Sequence, residues 1–453
     1  MKSSFSSLSK KSFLLVFAYA PAGLRHLRVT DALYRGLPPE ASPILLGSQD
    51  TTITAMHRMM SVHTITRAFF EWVEQGSAEE FTTPLYRWYL RSHADLLYRQ
   101  INTIIDQRLN IPDELLLIAT HFGLAHQAAA IKEKIIENRK IKVSIVVQVT
   151  DDSPHHIWYI PGADIIFVPS ERTKDRLEAY GRRSKLPPVN FEVNPYPLSP
   201  NLNTDLTDSR MDHRKSQLDP HKDTTIHFAI PISGAAVGMD FITHLIDFLH
   251  LKSSRFQFHV VSKNAPFTFR FLYNMNSRPQ VEMHMSPHEK EVINLYEKLY
   301  EDTTISLEVT KPSEQAFKAL ITPKKRGGSI MFFSNPVGRQ EYDNLHFLRR
   351  NNLVPQKAVQ KELWNRAECD HILESEERNK LLKEATSWRA LNLPKGSIES
   401  AQFIWWCLRE KILQSMLSCR VMSDSAHQTQ SELQSDGVEQ FWMKTAEFLQ
   451  NNT

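Results

Sequence analysis

Short, unbroken apolar runs in two sets constrain this chain more than any other feature. The first set is Leu14–Tyr19, Leu115–Ala119, Val143–Val149 and Ile165–Val168. The second is Ile226–Ile230, Phe256–Val261, Ile305–Val309 and Ile330–Phe333. Continuous runs of this length alternating with helical stretches belong to parallel strands covered on both faces. Between the sets, residues 199–224 are rich in Asp, Asn, Ser and Lys and almost free of apolar residues, which reads as a linker or long surface loop. At 453 residues the chain exceeds one ordinary core. The expected class is α/β, with two Rossmann-like domains facing a cleft. The expected boundaries are 1–198 for the first domain, 199–224 for the linker or loop, 225–362 for the second domain and 363–453 for a helical C-terminal extension. That extension carries Phe403-Ile404-Trp405-Trp406 and is expected to dock on the domains.

A net charge of +3 gives no argument for a nucleic-acid partner. The basic runs Lys324-Lys325-Arg326, Arg349-Arg350 and Arg182-Arg183 read as solvated faces or phosphate neighbours. Cys369, Cys407 and Cys419 form neither a zinc spacing nor a disulfide framework, as expected of a cytoplasmic chain. The run from Phe13 to Ala20 imitates a short signal peptide, but it meets Pro21-Ala22-Gly23 and a helical pattern, so it reads as a first buried strand. No stretch reaches the roughly 18 to 20 apolar residues of a membrane span. The region from Thr51 to Arg108 reads as helical and carries His57, Met59, Met60, His63, Phe69, Phe70, Trp72, Tyr86, Trp88 and Tyr89. Amphipathic packing explains it; aromatics interleaved with Arg would equally suit a lipid headgroup boundary, a peripheral membrane contact.

Several polar motifs sit where strands end. Ser233, Gly234 and Gly238 lie in a loop between the first strand of the second set and a helix from Phe241 to Leu249. Small residues there let backbone amides approach a diphosphate at a helix N-terminus, although a plain tight turn has the same composition. Thr310-Lys311-Pro312-Ser313-Glu314 follows another strand. Glu314 can accept both ribose hydroxyls of a nucleotide, or simply favour its own helix dipole, and Lys311 and Arg339 can stabilise a leaving diphosphate or stand as solvated charges. Gly338, Gln340, Glu341 and Asn344 follow a further strand; an amide beside a carboxylate suits sugar hydroxyls, or merely starts a helix. In the first half, Gly23 and His26 follow the first strand, and His26 can serve as general base or as a packing histidine. Asp151 ends a buried strand where it can position or deprotonate an acceptor, and His121 and His156 are further acceptor-side candidates. The cluster Asp151, Asp152, His155, His156 looks superficially metal-like, but no further ligand set accompanies it, so no metal and no cofactor are expected.

Taken in order, these positions resemble the GT-B glycosyltransferases related to monogalactosyldiacylglycerol synthases and to the enzyme that adds N-acetylglucosamine to the peptidoglycan lipid precursor. Gly23 and His26 match that group's first loop; Thr150, Asp151, His156 and Trp158 match its Thr-Asp strand end with a following His and aromatic. Pro169, Ser170 and Glu171 match its Pro-Ser-Glu helix entry. Thr310, Lys311, Pro312, Ser313, Glu314, Gly338, Gln340, Glu341 and Asn344 match the second-domain series. The first loop and the donor loop hold fewer glycines than the group's, and the glycine run between Lys-Pro and Ser-Glu is missing.

The resemblance implies a hexosyltransferase in which 1–198 takes the acceptor and 225–362 the nucleotide sugar. A UDP-sugar would lie with its diphosphate at Ser233–Gly238, its ribose at Glu314 and its sugar at Gln340 and Glu341. His26 or Asp151 would take the proton of an acceptor hydroxyl, for which the relatives suggest a membrane lipid, and displacement would invert the anomeric centre. The enzyme would be cytoplasmic or peripheral to the inner membrane face. A catalytically inert nucleotide-sugar-binding relative and a UDP-sugar 2-epimerase are the rival readings.

Overall fold

The computed structural model describes residues 13–19, 24–38, 41–47, 76–234, 236–418 and 431–451. Gly23 and the positions from His57 to Trp72 named above lie outside the described residues. In chain order the first elements are β1 (Phe13–Tyr19), α1 (Leu24–Arg35), β2 (Ile44–Gly47), α2 (Gly76–Ser92), α3 (Asp95–Asp106), β3 (Glu114–Ala119), α4 (Phe122–Arg139), β4 (Lys142–Gln148), β5 (Ile165–Val168), α5 (Glu171–Arg183) and β6 (Phe191–Val193). Then come α6 (Asp208–Gln217), β7 (Ile226–Pro231), α7 (Met239–Lys252), β8 (Phe256–Lys263), α8 (Phe269–Asn276), β9 (Val281–Ser286), α9 (Glu289–Asp302) and β10 (Leu307–Thr310). The chain ends with β11 (Ile330–Phe333), α10 (Arg339–Arg350), α11 (Lys357–Glu368), α12 (Ser375–Ala385), β12 (Ala390–Asn392), α13 (Ser397–Arg409), α14 (Ile412–Met416) and α15 (Gly437–Asn451).

The chain is α/β and forms two units, residues 1–200 with 430–453, and residues 201–429. Each holds a six-stranded sheet, in the orders β2-β1-β3-β4-β5-β6 and β12-β11-β10-β7-β8-β9. The pairings are parallel throughout.

Two expected boundaries give way. Residues 201–224 are not a linker: α6 lies in the second unit, and its Arg214 is fully buried. The Arg214 guanidinium donates to the carbonyls of Pro323 (2.7 Å), Lys325 (2.8 Å) and Arg326 (2.7 Å), while burial pulls its pKa down to about 9. Arg389 donates to the carbonyls of Ile321 and Gly328, both at 3.0 Å, so two buried arginines satisfy one turn whose carbonyls would otherwise be stranded. The C-terminal stretch from 363 docks as expected, but it is not helical throughout and the boundary at 362 falls inside the second unit. β12 pairs with β11 and completes the second sheet, and α13 buries Phe403, Ile404 and Trp406 in that unit's core. α15 belongs with the first unit.

In the first sheet, Leu14 and Val16 of β1 share an apolar cluster with α3 and α4. Phe17 points to the other face and meets Trp442 of α15 edge-on at 6.1 Å. The Trp442 indole N–H donates to the Leu33 carbonyl of α1 at 2.9 Å. Replacing this fully buried ring, Trp442→Ala, is expected to cost the first unit about 3–5 kcal/mol. Urea unfolding should show a lower midpoint; an unchanged midpoint would mean that α15 is not part of that core.

Candidate active site

In open parallel sheets, ligands bind beyond the carboxyl ends of the strands, at the point where strand order reverses. In the second sheet that point lies between β7 and β10. The α7 residues Leu245, Ile246 and Leu249 pack with Phe228, Leu307 and Val309 on one face. Glu308 alternates with Leu307 and Val309 and so points to the other face, where it meets Lys318 of the 3-10 helix Glu314–Leu320. The two connections leaving the reversal therefore run on opposite faces of the sheet.

The loop after β7 carries Ser233, Gly234 and Gly238. Gly238 has φ +84° and precedes α7, a conformation open to glycine at no steric cost. Among the described residues the buried Ser233 hydroxyl finds no hydrogen-bond partner, which costs stability unless a ligand supplies one. Across the reversal, Glu314 is buried one turn past β10. The Ser313 side chain does not cap this helix; its carbonyl accepts from the Ala316 N–H (3.0 Å) and the Asn344 side chain (3.0 Å).

The two second-unit motifs are joined. Asn344 of α10 is buried and donates to the Pro312 and Ser313 carbonyls at 3.3 and 3.0 Å. Glu341 receives the Val337 N–H at 2.5 Å and pairs with Lys311 at 3.4 Å. Gly338, at φ +80°, makes the turn into α10. Asn344 and Glu341 thus brace the loops that carry Glu314 and the half-buried Gln340.

Sequence reasoning missed what lies beneath Glu314. Glu308 and Lys318 form a fully buried ion pair at 2.6 Å, and Tyr296 (2.8 Å) and Tyr300 of α9 donate to the same carboxylate. Tyr300 also reaches Ser329 at 3.0 Å, and burial followed by the Glu308 charge drives its phenol well above its ordinary pKa. The pair fastens the Glu314 helix to β10. A carboxylate at the middle of a short strand and a lysine ten residues on gave a sequence signal only as an apolar run interrupted at Glu308.

In the first sheet the reversal lies between β1 and β3. His26, in the first turn of α1, is buried, and its Nδ1 lies 2.7 Å from the Thr120 carbonyl at the end of β3. A carbonyl only accepts, so in the neutral ring Nδ1 carries the proton and the lone pair sits on Nε2. The rings of His26 and His121 meet edge-on at 4.8 Å. His121 caps α4, its Nδ1 accepting from the Gly123 N–H at 3.1 Å.

Asp151 is buried, pairs with Arg25 at 3.1 Å and accepts from the Ser153 N–H at 3.1 Å. The guanidinium and the amide hold the carboxylate in one orientation at the strand end. Asp152 accepts from Thr173 at 2.9 Å and from Ser170, anchoring α5. His156 stacks on Tyr180 with ring centroids 3.9 Å apart, and its backbone N–H donates to Glu79 at 2.7 Å. The Asp-His segment thus reaches α1 through Asp151, α5 through Asp152 and Glu79 of α2 through the His156 amide. On α2, Trp88 and Tyr89 are exposed, and Tyr86 meets Phe122 edge-on at 6.1 Å. No helix among the described residues is long and apolar enough to cross a membrane.

No protein-family model matches the sequence, and no curated protein matches it. Among solved structures, S. aureus MnaA with UDP aligns at 10% identity and a TM-score of 0.46, covering 96% of this chain and 96% of that one. A putative UDP-N-acetylglucosamine 2-epimerase from Listeria monocytogenes aligns at 8% and 0.48, covering 95% and 94%. Acinetobacter baumannii MurG aligns at 9% and 0.44, covering 96% and 99%.

Burial alone would raise the Glu79 carboxyl, but the hydrogen bond and charge of His155 and the His156 N–H outweigh it and hold the group at about 2, below the ordinary 4.5. The native state therefore binds this proton less readily than the unfolded chain. The resulting stability is complete above about pH 4.5 and is lost as pH falls towards 2. Glu79→Gln is expected to remove an acid-sensitive share on the order of 1–2 kcal/mol, read as a flatter acid limb of stability against pH. Lys318→Met is expected to cost about 3–5 kcal/mol by leaving Glu308 buried without its counter-ion, and adding Glu308→Leu to recover most of it. Denaturant unfolding of the single and double variants checks this; an equally unstable double variant would contradict it.

Proposed function

We propose that the protein is a GT-B-type glycosyltransferase that moves a hexosyl group from a UDP-sugar to an acceptor hydroxyl with inversion. The observation that carries this reading is the second unit's strand reversal. The small-residue loop at Ser233–Gly238 and the carboxylate of Glu314 stand at the carboxyl ends of the two strands that flank it.

The diphosphate lies at the amides before α7, where the helix end adds partial positive charge, and takes the unmet Ser233 hydroxyl as a donor. Glu314 accepts both ribose hydroxyls. Gln340 holds the sugar, while Glu341, Lys311 and Asn344 fix the loops around it. His26 of the first unit takes the acceptor proton on Nε2, because Thr120 holds the other nitrogen protonated. The acceptor oxygen bonds to the anomeric carbon as the carbon–oxygen bond to UDP breaks. Asp151, paired with Arg25, orients this side of the reaction. The acceptor is lipid-borne: Leu85, Trp88 and Tyr89 are exposed together on α2, an apolar and aromatic face suited to a headgroup boundary.

Calorimetric titration with UDP tests the donor half. Glu314→Ala and Ser233→Ala should each weaken UDP binding, the former by about 10- to 100-fold, the value of charged hydrogen bonds. His26→Asn should leave UDP affinity unchanged and abolish transfer from a UDP-hexose to a lipid extract in vesicles. No UDP binding by the wild-type chain overturns the reading. Binding without transfer leaves an inert relative, and UDP-sugar interconversion without acceptor makes it an epimerase.

A further inference from the structure

Three adjacent parallel strands of the second sheet carry ionisable side chains side by side. Phe228, Phe258, Val281 and Met283 face the main apolar cluster, so His227 of β7, His259 of β8 and Glu282 and His284 of β9 share the opposite face. His259 and Glu282 are register partners. His259 is buried, His284 mostly so, and Glu282 is more than half exposed.

Their donor atoms converge. The His259 Nδ1 lies 3.3 Å from the His284 Nε2 and 3.3 Å from one Glu282 oxygen, and the His284 Nε2 lies 3.4 Å from the other. These separations exceed the roughly 2.7–2.9 Å of a charge-assisted hydrogen bond. The two that meet at the His259 Nδ1 match the edge of a tetrahedron whose centre lies roughly 2.0–2.1 Å from each vertex, about 3.3–3.4 Å, the spacing of nitrogen and oxygen ligands around zinc. Among the described residues this is the one group of its kind.

We propose that His259, His284 and Glu282 bind one divalent transition-metal ion of the zinc type, with His227 as the outer partner that orients His259. The His259 Nε2 lies 2.9 Å from the His227 Nδ1. A proton on that Nε2, donated to His227, turns the bare Nδ1 towards the ion, the outer-shell arrangement usual for ligating histidines. Imidazole ligates through a bare ring nitrogen, so the ion displaces any proton from the nitrogens that face it. Two imidazoles and one carboxylate select a borderline ion over magnesium or calcium, which take oxygen ligands. The exposed Glu282 leaves a fourth position open to solvent, and the ion ties the edge strand β9 to β8.

Titration of the chelator-treated full chain with Co2+ tests this. One equivalent should develop the visible absorption of tetrahedral cobalt, and Zn2+ should displace it. Glu282→Gln and His284→Gln should abolish the band, and His227→Gln, which keeps every ligand, should weaken binding by about 10- to 100-fold. Circular dichroism verifies folding; if His284→Gln unfolds, the exposed Glu282→Gln decides. No band at one equivalent, or the same band in a folded Glu282→Gln chain, overturns the proposal.

Discussion

Strand reversal in a parallel sheet is the constraint on which the rest depends. A parallel strand must be reached by a crossover, and crossovers of one hand place their helices on opposite faces when the direction of growth changes. In the second unit α7 leaves β7 on one face, and the helix Glu314–Leu320 leaves β10 on the other. The two chain segments diverge where two strands lie side by side, which brings the amides before α7 and the Glu314 carboxylate to one end of the sheet. The first unit has a different strand order, yet its first strand again borders the strand across the reversal. His26 and Thr120 are far apart in sequence but hydrogen-bonded for this reason.

A divergence of this kind needs support, and buried polar groups supply it. Lys318 and Glu308 are desolvated together, with Tyr296 and Tyr300 adding donors to the carboxylate. Such a pair contributes little net stability compared with apolar packing, but it fixes one geometry, because each partner left alone is penalised heavily. Asn344 does the same for the neighbouring loop by satisfying two carbonyls. The arrangement holds the Glu314 backbone from below and from the side before any ligand arrives, which is the condition for binding without a large ordering cost.

What the sequence displayed of the fold was its interior. The apolar runs expected as strands are found as β1, β3, β4, β5, β7, β8, β10 and β11, the strands flanked on both sides within their sheets. Those that escaped notice, β2, β6, β9 and β12, are the four edges. An edge strand is short or half-exposed, as β9 is with Glu282 and His284 among its residues, so it gives no continuous apolar signal. The same bias hid α6, whose buried Arg214 reads as one more polar residue in a polar stretch, and it cut the second unit short before β12. At the site, the positions of Glu314 and His26 were legible because strand ends were. Their partners were not: nothing linear shows that Asn344 donates to the Pro312 and Ser313 carbonyls or that Glu341 receives the Val337 N–H.

Cross-strand register adds chemistry that no linear pattern carries. Glu282 and His284 are two residues apart and must share a face, but His259 joins them only through the pairing of β8 with β9, and His227 only through that of β7 with β8. A single-residue slip of β9 would turn Glu282 and His284 into the apolar cluster and Met283 out of it. The apolar face thereby enforces the register that brings the donor atoms together. Hydrophobic burial on one side of the sheet sets the spacing of polar groups on the other, so the packing of Phe258 and Met283 and the convergence of His259 and His284 are two consequences of one alignment.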